Sequence, residues 1–170
     1  MAVKVTLDTN CFFDYFERKP DRIQDLINLQ TLGHIEIAMT TRVMADTLDK
    51  WKGGDTSPIW KKIQLFPIFE TVGSAFRLGI SRLDSGDYLS SDSDSKAIDD
   101  LQKIMLNAQA EDVDHIFSHI NAKRDLFVTS DSHFLNHKED LKDKFGVNVL
   151  KPEEAIQVIR KKIGLREVSS

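Results

Sequence analysis

Four aspartates stand out by their placement: Asp8, Asp46, Asp112 and Asp131. Asp8 closes the short β-branched run Lys4-Val5-Thr6-Leu7 and precedes Thr9-Asn10, a polar helix start. Asp131 follows the apolar run Leu126-Phe127-Val128-Thr129. Asp112 lies in the first turn of a helix expected over Glu111 to Lys123, and Asp46 about six residues into a helix opened by Thr40 and Thr41. A cluster of carboxylates repels itself: two unit charges about 4 Å apart cost roughly 4 kcal/mol at an effective dielectric near 20. Such a cluster either keeps some protons or holds a cation. Oxygen donors without a cysteine set favour hard Mg²⁺ or Mn²⁺ over Zn²⁺. A cation held that way keeps waters and open positions, which suits hydrolysis of a phosphodiester.

The elements that would bring these acids together are legible from periodicity. Val3 to Leu7 reads as a strand, and Asn10 as the cap of a helix from Cys11 to about Glu17. Pro20 opens a second helix, with Ile23, Leu26 and Ile27 on one face and Gly33 as its stop. Ile35 to Met39 is a second strand, and the helix after it passes Met44, Leu48 and Trp51 to end at Gly53-Gly54. Trp60, Ile63 and Leu65 indicate a helix, Phe66 to Val72 an extended segment and Ser74 to Leu83 a helix. Asp84 to Ser95 is polar and acidic and reads as a surface loop. Ile98, Leu101, Ile104 and Met105 form a helical stripe. Leu126 to Thr129 and Val147 to Leu150 are strands. Between them a helix through Leu141 and Phe145 ends at Gly146, and Pro152 opens a last helix through Ile163.

Strands alternating with helices make a three-layer α/β/α sandwich with a mainly parallel sheet. Right-handed crossovers put all strand C-termini on one edge. Asp8 and Asp131 then share that edge with the N-termini of the helices carrying Asp46 and Asp112. The chain has 170 residues, 41% hydrophobic and 29% charged, with net charge −4. One domain over residues 1–165 is expected, expanded at about 55–110, with a tail at 166–170. The single cysteine, Cys11, excludes an internal disulfide and a Cys-rich metal site. No signal pattern or membrane-length apolar run is present, so the expected location is the cytoplasm.

Leu7-Asp8-Thr9-Asn10-Cys11-Phe12-Phe13 resembles the opening motif of the PIN-domain family of metal-dependent ribonucleases. Thr41-Arg42-Val43-Met44-Ala45-Asp46 is similar to that family's second-acid segment, with Asp where Glu is usual. Glu111-Asp112-Val113-Asp114-His115-Ile116, followed by Asp125 to Phe134, resembles its third-acid helix, apolar strand and T-x-D turn. The resemblance extends loosely from Val3 to Ile163. It implies a parallel sheet flanked by helices, a Mg²⁺ or Mn²⁺ site and cleavage of single-stranded RNA. It places metal-binding or catalytic roles on Asp8, Asp46, Asp112 and Asp131. The resemblance also has the Thr9-Asn10 pair supporting Asp8; Asn10 and Thr129 or Ser130 would hold these carboxylates, and His115 would orient Asp112 or pack beside the acid site. Many members of the family are toxins paired with an antitoxin, so RNA, an antitoxin protein and a second copy of the chain are the candidate partners.

Other features weigh less. His115 and His119 have the i, i+4 spacing of zinc helices, but HExxH needs Glu at 116 and the residue is Ile. Asp92-x-Asp94 lacks the Gly and Glu of a calcium loop. Asp114 reads as a solvated helix position, with an extra acid behind the site as the alternative. Arg42, one turn before Asp46, would approach phosphate from the rim. Lys50 and Lys52 flank Trp51, a mixture that suits RNA, although lysines over a core tryptophan are the plainer reading. Two rivals stand beside the nuclease. A catalytically weak or inactive PIN-like module would bind RNA or protein. A phosphatase with an aspartyl nucleophile would want Asp at position 10, where the chain has Asn.

Overall fold

The computed structural model describes residues 2–49, 58–74, 87, 91–106 and 108–164. The elements in order are β1 (Val3–Leu7), α1 (Thr9–Phe13) running into a π turn (Asp14–Arg18), α2 (Pro20–Thr31), β2 (Ile35–Thr40), α3 (Thr41–Asp49), α4 (Pro58–Ile63) and β3 (Glu70–Val72). Then come α5 (Asp92–Ile104), α6 (Ala110–Asn121), β4 (Leu126–Val128), α7 (Ser132–Asn136), α8 (Lys138–Phe145), β5 (Asn148–Leu150) and α9 (Pro152–Lys162). Among the described residues the strands form one sheet in the order β3-β2-β1-β4-β5. Every pairing is parallel.

β1 is central because it can bury both faces. Val3, Val5 and Leu7 point to one side, joined by Ile35, Ile37, Leu126 and Val128. Apolar side chains of α1, α2, α4 and α9 cover them in one core. Phe127 and Val149 point to the other side, under α5, α6 and α8. Strand period and helix stripe thus each find a partner, and the layers are those of the expected α/β/α sandwich. Threonines break the apolar pattern on the α6 face. Thr6 Oγ1 lies 2.9 Å from His119 Nδ1, and Thr40 Oγ1 lies 2.6 Å from His115 Nδ1. The i, i+4 histidines are therefore a polar seam between α6 and the sheet, each with a hydroxyl partner.

Arg124, in the turn before β4, ties three strands together. Its guanidinium donates to the Val5 and Glu36 carbonyls and pairs with Glu70. Gly146 ends α8 in the left-handed region, φ 70°, the conformation for which glycine is best suited.

Three local expectations change. The first helix begins at Thr9 with Asp8 in the cap position, so Asn10 lies inside the first turn and is not the cap. Of Phe66 to Val72, only Glu70–Val72 is strand. The end of the polar Asp84 to Ser95 stretch is not loop: Ser91 caps α5, its hydroxyl accepting from Asp94 N while the Asp94 carboxylate accepts from Ser91 N. That reciprocal pair satisfies two orphan amides and lets a polar run start a helix. The expected helix over Ser74 to Leu83 falls mostly outside the described residues, as do Lys50, Trp51, Lys52 and the 166–170 tail. Among the described residues no helix is long and apolar enough to cross a membrane.

Candidate functional site

The four aspartates meet at the C-terminal edge of the sheet. Asp8, Asp46, Asp112 and Asp131 line one cavity of about 350 Å³, together with Thr9, Asn10, Glu111 and His133. The elements deliver them as follows. β1 ends at Leu7, and the Asp8 amide is fixed by the Val128 carbonyl at 3.0 Å. β4 ends at Val128, and the turn after it presents Asp131. Helices α3 and α6 start at this edge and bring Asp46 and Asp112.

Thr129 ties two of these acids. Its buried hydroxyl donates to Asp8 Oδ2 at 2.8 Å and accepts from the Asp131 amide at 2.9 Å. Asn10 Nδ2 donates to Asp131 Oδ2 at 3.0 Å, and Asp131 Oδ1 accepts from His133 N at 2.8 Å. Asp131 thus also caps α7. Thr9 Oγ1 donates to Asp46 Oδ2 at 2.5 Å. His115 Nε2 sits 3.1 Å from the same oxygen and 3.8 Å from Asp8 Oδ1. Facing a carboxylate, Nε2 must carry a proton. His115 therefore orients Asp46 and sits over Asp8; the histidine hydrogen-bonded to Asp112 is His133, Nδ1 to Oδ2 at 3.3 Å.

The electrostatics follow from burial. Loss of water raises the Asp8 carboxyl above its usual range, although the His115 charge and the Thr129 hydroxyl pull the other way. Asp112 is raised for the same first reason, opposed by its bond to His133. Burial works against a charge on His115. The bond to Asp46 and the charges of Asp46, Asp8 and Asp112 outweigh it, so His115 holds its proton more tightly than an ordinary histidine.

Four expected positions are corrected. Arg42 is not at the rim: its side chain is 1% exposed and pairs with Asp87 and with Asp114. Asp114 is accordingly buried rather than solvated. Ser130 donates to Asp14 Oδ2 at 2.5 Å and not to a cavity acid. Asp87, from the stretch read as surface loop, has no exposed side chain. Glu111 and His133 line the cavity without having been singled out from sequence, whereas Thr9 lines it as a member of the Thr9-Asn10 pair expected to support Asp8. Glu111 and His133 both carried a signal in their place: Glu111 stands directly before Asp112, and His133 two residues after Asp131 in Ser130-Asp131-Ser132-His133.

Five carboxylates and no Lys or Arg line this cavity among the described residues. That donor set fits a hard divalent cation. Among the described residues no three His, Cys, Asp or Glu side chains already surround one point. Mg²⁺ does not require that, because it binds through one or two carboxylates and keeps its waters. Asp8 and Asp131 are the residues that would hold it directly, with Asp46 and Asp112 as further ligands or positioners of a water.

No family model matches the sequence. No curated protein matches it either. Among solved structures the chain is similar to VapBC2 from Rickettsia felis, crystallised bound to a DNA fragment from their promoter, with TM-score 0.54 and 15% identity over 88% of this chain and 98% of that one. An identity that low speaks to architecture alone. The chain has a PIN-like α/β sandwich fold.

Proposed function

We propose that the protein is a Mg²⁺- or Mn²⁺-dependent endoribonuclease acting on single-stranded RNA, with residues 1–165 as its one domain. The observation that carries this reading is the convergence of Asp8, Asp46, Asp112 and Asp131 on one acidic cavity from four separate elements. The likeness of fold to a VapBC2 complex supports it. The bound cation would supply charge neutralisation at the phosphate and an acidified water.

The chain's own residues do the positioning. Asp8 and Asp131 are held at a fixed separation by the Thr129 hydroxyl and are the direct ligands in this reading. Asn10 fixes one oxygen of Asp131. Asp46 is the shorter of the acids that normally serve there, and Thr9 and His115 both grip its Oδ2. That grip suits an acid that orients water rather than one that reaches the cation. Asp112 lines the same cavity, steadied by His133. The site acids repel a polyanion until a cation is present, so RNA binding and cation binding are coupled.

An antitoxin protein and a second copy of the chain are further partners in this proposal, the former by analogy with the VapBC2 complex. The test is cleavage of single-stranded RNA with and without Mn²⁺ by wild type, Asp8→Asn and Asp131→Asn. Cation-dependent cleavage lost in both variants is expected. Equal behaviour of all three proteins would overturn the reading and favour a non-catalytic binding module.

A further inference from the structure

Thr40, Thr41 and Arg42 span the junction of β2 and α3, and each sends its side chain to α6 or to Asp87. Thr40 Oγ1 is 2.6 Å from His115 Nδ1. Thr41 Oγ1 donates to Asp87 Oδ1 at 2.6 Å. Arg42 pairs with Asp87 through Nη2, and its Nε lies 3.5 Å from Asp114 Oδ2. Asp87 Oδ1 also accepts from the Ser74 amide at 3.1 Å. Arg42, Asp87 and Asp114 side chains are all 0–1% exposed.

We propose that Asp87 is a positioning residue for the carboxylate site: by holding Thr41 and Arg42 it sets α3 against α6, and so sets Asp46 against His115. Its consequence for catalysis rests on the ribonuclease reading above. Arg42 is one helical turn before Asp46 on α3. Asp114 is next to His115 and two residues after Asp112 on α6. A shift of Arg42 relative to Asp114 therefore moves Asp46 relative to Asp112, both of which line the cavity. Apolar side chains between two helices tolerate sliding. A buried guanidinium does not, because leaving its carboxylates strands a charge away from water. Asp87 reaches this junction from a distant part of the chain and closes it, as a peg closes a joint.

A purely structural peg would change stability and nothing else, so the test reads the site directly. In full-length protein with ¹⁵N-labelled histidine, Asp87→Asn keeps the shape of the side chain and one acceptor oxygen while removing the charge. The His115 imidazole resonance should move or broaden, while that of His119, on the same helix, stays fixed. The kcat for RNA with Mn²⁺ should fall 10–100-fold, the range typical when a group supporting a metal ligand is lost, with KM changed little. Thr41→Val removes one bond to Asp87 without stranding a charge. It should show the same changes at smaller size, and it decides the matter if Asp87→Asn does not fold. Val149→Ala, a core truncation at β5, is the control for lost stability and should leave both readouts unchanged. A His115 resonance identical to wild type in the folded variants would overturn the proposal. So would a kcat loss no larger than that of Val149→Ala. If wild type cleaves no RNA at all, the ribonuclease reading fails and the histidine resonances alone decide the role of Asp87.

Discussion

His119 is the sharpest test of the packing described above. Its ring is 1% exposed, stacked edge-on to Phe127 at 5.6 Å and bonded to Thr6. Burial pushes its pKa from 6.5 down to about 3, helped by the Arg124 charge and opposed by Asp125. The folded protein therefore carries a neutral His119 at pH values where the unfolded chain carries a charged one. The unfolded state binds the extra proton between about 6.5 and 3, so stability is complete above that window and is lost as pH falls through it. Each pH unit inside the window is worth about 1.4 kcal/mol. Between pH 7 and pH 5 His119 should thus remove roughly 2 kcal/mol of stability. In His119→Asn the side-chain amide still reaches Thr6 but cannot be protonated. It gives up the ring contact with Phe127 and some core volume, about 1–2 kcal/mol at pH 7. Urea unfolding of both proteins at pH 7, 6, 5.5 and 5 provides the comparison. The wild-type advantage should shrink steadily and vanish or reverse by pH 5. A difference that is flat across the series would refute the placement of a neutral histidine between α6 and the sheet.

Further outcomes follow from other contacts. Thr129→Val takes the donor from Asp8 Oδ2 and the acceptor from Asp131 N; loss of a bond to a charged group, with a second polar group unpaired, costs about 2–4 kcal/mol. Calorimetry should show Tm lowered by roughly 5–15 °C for a chain of this size, and an unchanged Tm would remove Thr129 as the tie between the two acids. Mn²⁺ at a hundred times its Kd should stabilise wild type by about 2.7 kcal/mol and leave the Tm of Asp8→Asn where it was; equal shifts in both would place the cation elsewhere. Gly146→Ala meets no atom within 4 Å but keeps a φ of +70°, so it should destabilise by about 1 kcal/mol from backbone strain alone, measured by urea midpoint with an unchanged slope.

The strands and the edge they share were legible because burial on a sheet leaves a local signature. β1 occupies the residues that its β-branched run indicates, and β2, β4 and β5 fall within a residue of theirs. Asp8, Asp46, Asp112 and Asp131 share one cavity for a reason of topology, which periodicity plus handedness captures. What escaped was long-range pairing of polar groups. An arginine one turn from an acid looks like a phosphate ligand until Asp87 and Asp114 are seen to enclose it. Asp114 lies on a face that α3 covers with a guanidinium, and nothing local announces that. The start of α5 escaped for a different reason. Asp92-Ser93-Asp94-Ser95 has the composition of a loop, yet Ser91 with Asp94 three residues on is a capping pair, and that spacing outranks composition.

The place of β1 also matters while the protein is being made. It is the middle strand, in register with β2 from Val3 opposite Ile35 and with β4 from Val5 opposite Leu126. At roughly 5–20 residues per second of translation, one side of β1 waits on the order of ten seconds for its neighbour. Until then the Asp8 amide lacks the Val128 carbonyl, and a nascent chain displays an apolar strand edge open to other chains. Asp112 and Asp131 come late as well, so no product that stops before residue 131 carries the full acid set. Messages cut ahead of the Leu126 codon would therefore yield fragments that lack β4 and Asp131, inert at the site and prone to aggregate, whereas synthesis past Asp131 supplies the last acid and synthesis past Leu150 the last strand.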